Sequence, residues 1–260
     1  MTSNDASRVF DSRLSPTVVC VPCFSGAPWD LASLPGLDGL PTRTMRLPEN
    51  VDSVEAYADF LAQEVEELDS YILAGDSFGA VIALALAARQ PDGLHGLVLS
   101  GGFAANPLPR WKGVAAHLSK FAKGALYRQG TLRFHSFQLA SEFDTHAEVP
   151  HTRDDFRELF LTHTPRSSYT ARVTSVTSFN ILDSLGRVDV PTLIITPADD
   201  RLVGRAAATA MLRGIRRSTE VVLPRTGHMF RFTHPSAYSG AIRSFVDGLS
   251  PSHREEKASV

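Results

Sequence analysis

Five residues, Gly75-Asp76-Ser77-Phe78-Gly79, join the apolar run Tyr71–Ala74 to a second apolar stretch, Phe78–Arg89, that is rich in Ala, Leu and Ile. The first run reads as a strand and the second as a buried helix, so the chain must turn sharply between them. Such a turn needs glycine on both flanks, because side-chain bulk there would meet the neighbouring backbone. It lifts the central Ser77 hydroxyl out of the sheet towards the helix N-terminus. Gly and Ser are common in any strand-to-helix turn. The meaning of this one depends on whether the rest of the chain builds the same architecture and supplies an acid and a base.

The architecture repeats on both sides of it. Thr17–Val21 is a continuous β-branched run, suited to a strand buried on both faces, and a turn-rich loop from Cys23 to Trp29 follows. Thr42–Leu47 is a weaker strand candidate with Met45 and Leu47 as its apolar positions. Asp52 with Glu55 three residues on has the form of a capping box. Val54, Tyr57, Ala58, Leu61, Val65 and Leu68 then recur at helical spacing. Pro91-Asp92-Gly93 stops the apolar helix, and Leu97-Val98-Leu99 gives a further strand closed by Gly101-Gly102. Alternating strand and helix predicts an α/β fold, a mainly parallel sheet with helices on both faces.

That rhythm breaks at about Phe103 and resumes at Pro191–Thr196. In between lie helical patches, Val114, Leu118, Phe121, Ala122 and Ala125, then Phe156, Leu159 and Phe160, without a strong strand. The expected division is a core of residues 1–103 and 188–250, a helical cap of 104–187 and a disordered polar tail of 251–260. A connection this long, against the usual ~2–6 residues, is expected to be functional. The sheet pattern continues with a helix from about Arg205, a strand Glu220–Leu223 and a last helix after Pro235 whose face is Ala237, Tyr238, Ala241, Ile242, Phe245, Val246 and Leu249.

Composition removes several function classes. A hydrophobic share of 43% and a charged share of 21% fit a globular chain with a sizeable core, and the formal charge of −2 argues against a general nucleic-acid binder. The polar N-terminus has no apolar h-region, and no apolar run approaches the ~20 residues of a membrane span, so a cytoplasmic protein is expected. Cys20 and Cys23 have the C-x-x-C spacing of redox motifs, but Cys20 lies inside a strand instead of opening a helix, which favours buried, inert thiols. The histidines are scattered without an H-x-x-x-H pair, and neither G-x-G-x-x-G nor a Walker loop occurs. No metal and no cofactor are expected.

A serine hydroxyl needs a base to become a nucleophile, and the base needs an orienting acid. In a parallel sheet both belong just beyond the C-terminal ends of later strands. The loop after Leu193-Ile194-Ile195 carries Asp199-Asp200-Arg201-Leu202-Val203, and the loop after Val221-Val222-Leu223 carries Gly227-His228. The chain order Ser77, Asp200, His228 is that of nucleophile-elbow hydrolases. On Gly75–Gly79, Asp200–Val203 and Gly227-His228, over about residues 17–103 and 188–249, the sequence resembles the α/β-hydrolase superfamily. Its layout is similar to capped serine carboxylesterases, the pimeloyl-carrier-protein methyl ester esterase type among them.

The resemblance implies a carboxylic ester hydrolase working through an acyl-enzyme, with Ser77 as nucleophile, His228 as general base and then acid, and Asp200 orienting His228. Asp199 is the rival acid; Asp200 is preferred because it directly precedes Arg-Leu-Val. The plainer readings are a turn serine, a surface histidine and a loop aspartate, and the shared order and context weigh against them. The oxyanion donors implied are the amides of Phe78 and Phe24; the family's His-Gly-x is here Pro22-Cys23-Phe24, and Ser25 is the neighbouring candidate. Trp29 is a candidate pocket residue, although a loop aromatic more often simply packs. Asp76 beside the serine spells the letters of Gly-Asp-Ser lipases, but Ser77 lies too far along the chain and no terminal Asp-x-x-His occurs.

Phe103, Phe121, Phe134 and Phe137 are candidates for an apolar acyl site, or for packing between helices of the insertion. The basic run Arg110, Lys112, Lys120, Lys123, Arg128 and Arg133 reads either as a solvated face or as a dock for an anionic partner, such as an acyl carrier protein or a CoA thioester. The expected substrate is a small-molecule ester. Within the same chemistry a thioesterase or a carbon–carbon bond hydrolase stands beside it, and in another class a non-catalytic ligand-binding homologue.

Overall fold

Every expected strand forms, and the central ones form where apolar residues run without a break. In the computed structural model, which describes residues 15–108, 114, 118, 121 and 147–249, six strands make one parallel sheet. They are β1 (Thr17–Val21), β2 (Thr42–Thr44), β3 (Tyr71–Asp76), β4 (Leu94–Ser100), β5 (Thr192–Pro197) and β6 (Ser218–Leu223). Their order is β2-β1-β3-β4-β5-β6. The chain thus leaves β1 in one direction, to β2, and returns to build β3 on the other side. The loops after β1 and β3 therefore part at a topological switch point, where open α/β sheets form their crevice.

Alternate strand residues feed two cores. Val19, Val21, Leu73, Leu97, Leu99 and Ile194 face one side, with α1 (Val54–Val65), α2 (Phe78–Ala87) and, after the insertion, α5 (Arg205–Gly214) upon them. Val18, Cys20, Ile72, Ala74, Val98, Leu193 and Ile195 face the other, beneath the C-terminal helix α7 (Pro235–Leu249) and a pair of short 3-10 turns over 31–37. All ten residues of α2 are buried, as its unbroken apolar sequence requires.

Between β4 and β5 the described chain contains α3 (Arg153–His163), α4 (Arg166–Ser178) and a 3-10 turn over Leu182–Arg187, with a single bridge from Ala105 to Asn180 and no strand among the described residues. Glu148, just before α3, accepts from the amides of Ser236 (2.7 Å) and Ala237 (3.0 Å), and so ties the insertion to the N-terminus of α7. Residues 1–14, the tail over 251–260, the basic run from Arg110 to Arg133, Ala122, Ala125, Phe134 and Phe137 lie outside the described residues.

Several local expectations shift. The cap of α1 is Ser53, whose hydroxyl accepts from Ala56 N at 3.2 Å, one position after the expected Asp52. β2 ends at Thr44, and Met45 and Leu47 reach the core from the loop beyond it. Val114, Leu118 and Phe121 are 57–68% exposed, so these three do not face the core, whereas Phe103 is buried within it. A short helix α6 (Phe230–Thr233) follows His228 where none was expected.

Candidate active site

The turn after β3 has the strain its sequence anticipates. Ser77 adopts φ +54° and ψ −113°, a left-handed conformation rare for a residue with a Cβ, and donates its amide to Ser100 O at 2.8 Å. A Cβ at Gly79 would collide with the carbonyls of Val21 and Pro22. Only a glycine lets the start of α2 approach the loop after β1 so closely. Ser77 is half-buried and Phe78 is the first residue of α2.

Two later loops meet this turn. Ala198 N donates to Leu223 O (3.0 Å) and Asp199 N to Thr226 O (2.9 Å), which ties the loop after β5 to the loop after β6. Together they bring His228 Nε2 within 2.7 Å of Ser77 Oγ and its Nδ1 within 2.9 Å of Asp200 Oδ2. The other oxygen of Asp200 accepts from Leu202 N (2.8 Å) and Val203 N (3.1 Å). The residues after the aspartate thus hold its carboxylate in place, which explains the Asp-Arg-Leu-Val pattern. Asp199, the rival acid, is exposed.

Burial alone would raise the Asp200 pKa. The His228 charge and hydrogen bond, with the amides of Val203 and Leu202, overcome it and hold the carboxyl below the ordinary 3.8. Asp200 therefore stabilises the fold above pH 3.8, and that contribution is lost as pH falls through its lower folded value. The stability gap between wild type and Asp200→Asn is expected to close over that acid window in pH-dependent urea unfolding. A gap that stays constant down to the window's lower end would contradict the assignment.

The loop after β1 forms a turn closed by Gly26 N to Cys23 O at 2.9 Å, with Phe24 and Ser25 at its centre. The Phe24 ring stands edge-on to Phe78 (5.9 Å) and to Tyr169 (5.7 Å) and stacks on Phe160 (6.2 Å). The aromatic wall near Ser77 thus comes from Phe24 with Phe160 and Tyr169 of α3 and α4. Of the aromatics expected to line it, Phe103 belongs to the main core and Phe121 is exposed. Trp29 is buried against Tyr238 and donates to Val21 O at 3.2 Å, a packing role.

Both cysteines are free; burial pushes the Cys20 thiol up to about 12 against the opposing pull of Arg231. No group of three or more His, Cys, Asp or Glu could hold a metal ion among the described residues, and no helix there is long and apolar enough to cross a membrane.

Two features escaped sequence reasoning. Asp76 accepts from Arg231 Nε at 2.6 Å, both side chains being about 5% exposed, directly behind Ser77. Arg172 of α4 is buried against the Phe24 turn. For Asp76 a signal existed: a carboxylate at the end of a strand buried on both faces requires a cation, and Arg231 follows His228 closely.

The chain has counterparts among known proteins. The Hydrolase_4 family model, described as serine aminopeptidase, S33, matches residues 36–231. A pimeloyl-[acyl-carrier protein] methyl ester esterase of Neisseria meningitidis serogroup C is 26% identical over 203 residues, 75% of this chain and 76% of the relative. A putative carbamate hydrolase RutD of Pseudomonas syringae is 25% identical over 175 residues, 66% of each chain. A thermophilic esterase from Thermogutta terrifontis superposes with a TM-score of 0.74 at 20% identity, covering 91% of both chains, and so shares the α/β-hydrolase fold.

Proposed function

This chain belongs to the Hydrolase_4 family, and on that premise we propose that it is a serine carboxylesterase acting through an acyl-enzyme. The observation that carries the proposal is the hydrogen-bonded line from Ser77 Oγ through His228 to Asp200, 2.7 and 2.9 Å long. Asp200 accepts a hydrogen bond from the Nδ1–H of His228, and this tautomer leaves Nε2 to accept from Ser77. Ser77 Oγ attacks the ester carbonyl as its proton passes to Nε2. The carbonyl oxygen becomes an oxyanion held by the amides of Phe78 and Phe24. The ester C–O bond then breaks, and His228 returns the proton to the departing alcohol. Water, deprotonated by the same imidazole, cleaves the acyl-enzyme and restores Ser77.

The segment 104–187 acts as a cap in this reading. Phe24, Phe160 and Tyr169 form the apolar wall of the acyl site between cap and core. The name of the Neisseria relative joins its ester to an acyl carrier protein, and the basic run from Arg110 to Arg133 is the segment suited to such an anionic carrier.

A fluorophosphonate is expected to label one residue per chain, Ser77, located by peptide mass mapping. A chain-length series of p-nitrophenyl esters and matching thioesters should then show faster turnover of the oxygen esters. A carrier-borne methyl ester is expected to lose kcat/KM as salt rises, whereas a free ester should not. Failure of labelling together with absent ester turnover would remove the enzymatic reading, and equal salt response of free and carrier-borne ester would remove the carrier.

A further inference from the structure

Among the described residues, Arg172 is the largest side chain that is essentially inaccessible, at 1% exposure. It comes from α4, a helix rich in Ser, Thr and Arg whose buried apolar residues are Tyr169 and Val173, and a guanidinium gains nothing by following them out of water. No carboxylate pairs with it among the described residues. A buried guanidinium needs hydrogen-bond acceptors in place of water. Arg172 finds three: Nε donates to the Tyr57 hydroxyl at 3.2 Å, and Nη1 to Phe24 O at 2.8 Å and Ser25 O at 2.9 Å. The Thr164 hydroxyl adds a second donor to Ser25 O at 3.3 Å. Gly26, at φ +75°, leaves its Cα bare where Nη2 packs; a Cβ there would lie 2.5 Å from that nitrogen.

We propose that Arg172 is a positioning residue for ester hydrolysis, fixing the Cys23–Gly26 turn so that the Phe24 amide is held ready for the oxyanion. The inference rests on Ser77 as nucleophile and Phe24 as donor. Peptide units are rigid and trans, so fixing a carbonyl on one side fixes the following N–H on the other. The Gly26 amide fixes the Cys23 carbonyl, and Nη1 fixes the next two carbonyls, so all three peptide planes of the turn are set. Arg172 also reaches the other donor residue, because the Tyr57 ring stands edge-on to Phe78 at 5.2 Å. Without the guanidinium, Phe24 O loses its charged donor and Ser25 O keeps only Thr164, so the Gly26 amide that holds the Cys23 carbonyl, and with it the Phe24 amide, is less firmly set. Oxyanion donors act on the transition state and little on the ester ground state, so the effect belongs in kcat.

The experiment compares Arg172→Met and Arg172→Lys with wild type on p-nitrophenyl butyrate and on an alkyl boronic acid, which becomes tetrahedral on the nucleophile. The Met variant is expected to lose about 10²-fold in kcat with KM within about threefold, and to lose boronate affinity in step with kcat/KM. The Lys variant, with one compact ammonium in place of the fork, is expected to fall between. Circular dichroism checks the fold, and the Lys variant carries the test if the Met variant does not fold. A kcat within about threefold of wild type in the folded variant, or a loss carried wholly by KM, overturns the inference. Wild-type turnover and fluorophosphonate labelling in the same series keep the two readings apart, because their absence would fault the nucleophile assignment and not Arg172.

Discussion

Ser77→Ala is expected to lower kcat for p-nitrophenyl esters by about 10⁴- to 10⁶-fold while the thermal midpoint stays near that of wild type. The size follows from what Ser77 does in the proposed mechanism. Its Oγ is both the atom that forms the acyl bond and the partner of His228 Nε2 at 2.7 Å, so no other group takes over when it is removed. The residual rate comes from the oxyanion donors and from binding alone. Stability should change little because alanine keeps the Cβ at the strained φ of +54°, so the backbone cost of the turn is the same in both proteins. His228→Ala should lose a similar amount, and the double variant should be no worse than either single one, since residues that act as a unit are not additive. Ester turnover within tenfold of wild type in folded Ser77→Ala would end the serine-esterase reading.

The placement of Ser77, His228 and Asp200 was legible because each rests on a short local signal. A strand ending in glycine before an apolar helix fixes the turn at Ser77, and the apolar runs before Asp200 and His228 fix which end of the sheet they reach. The parallel sheet was legible for the same reason: strands buried on both faces, such as Thr17–Val21 and Tyr71–Asp76, show as unbroken apolar runs. Local signals also set the limits. Asp52 and Ser53 are both good caps, and one residue of register decides between them. Met45 and Leu47 show that a residue can fill the core from a loop, so apolar spacing overextended β2. The Phe24 aromatic cluster was not legible because it forms between distant segments: Phe24 meets Phe160 and Tyr169 only after the segment between β4 and β5 folds back. Arg172 left no trace in a pattern reading, since a charged residue on a polar helix predicts exposure.

The Asp76–Arg231 pair spans 155 positions and is the second place where a single substitution should have a large effect. Burial works against the Arg231 charge, yet Asp76, with Cys23 and Tyr238, holds the guanidinium pKa above its ordinary value. The guanidinium also lies 4.1 Å from the centre of the Phe232 ring and 5.0 Å from that of Trp29. Asp76→Ala would leave this cation buried without its counter-charge, at a cost of about 3–5 kcal/mol. At about 2–4 °C per kcal/mol for a chain of this size, the thermal midpoint should fall by roughly 6–20 °C. Asp76→Leu combined with Arg231→Met should recover most of that loss, because apolar replacement of both partners removes the unpaired charge. Activity is expected to separate from stability here. Asp76 adjoins Ser77, and Arg231 lies three residues beyond His228, so the ion pair fastens the elbow to the histidine loop. In the double variant kcat should remain about 10- to 100-fold low, as expected when reacting groups lose about 1 Å of alignment. Single variants as stable as wild type would show that the pair contributes nothing to the fold. A double variant with full kcat would show that backbone packing alone aligns Ser77 with His228.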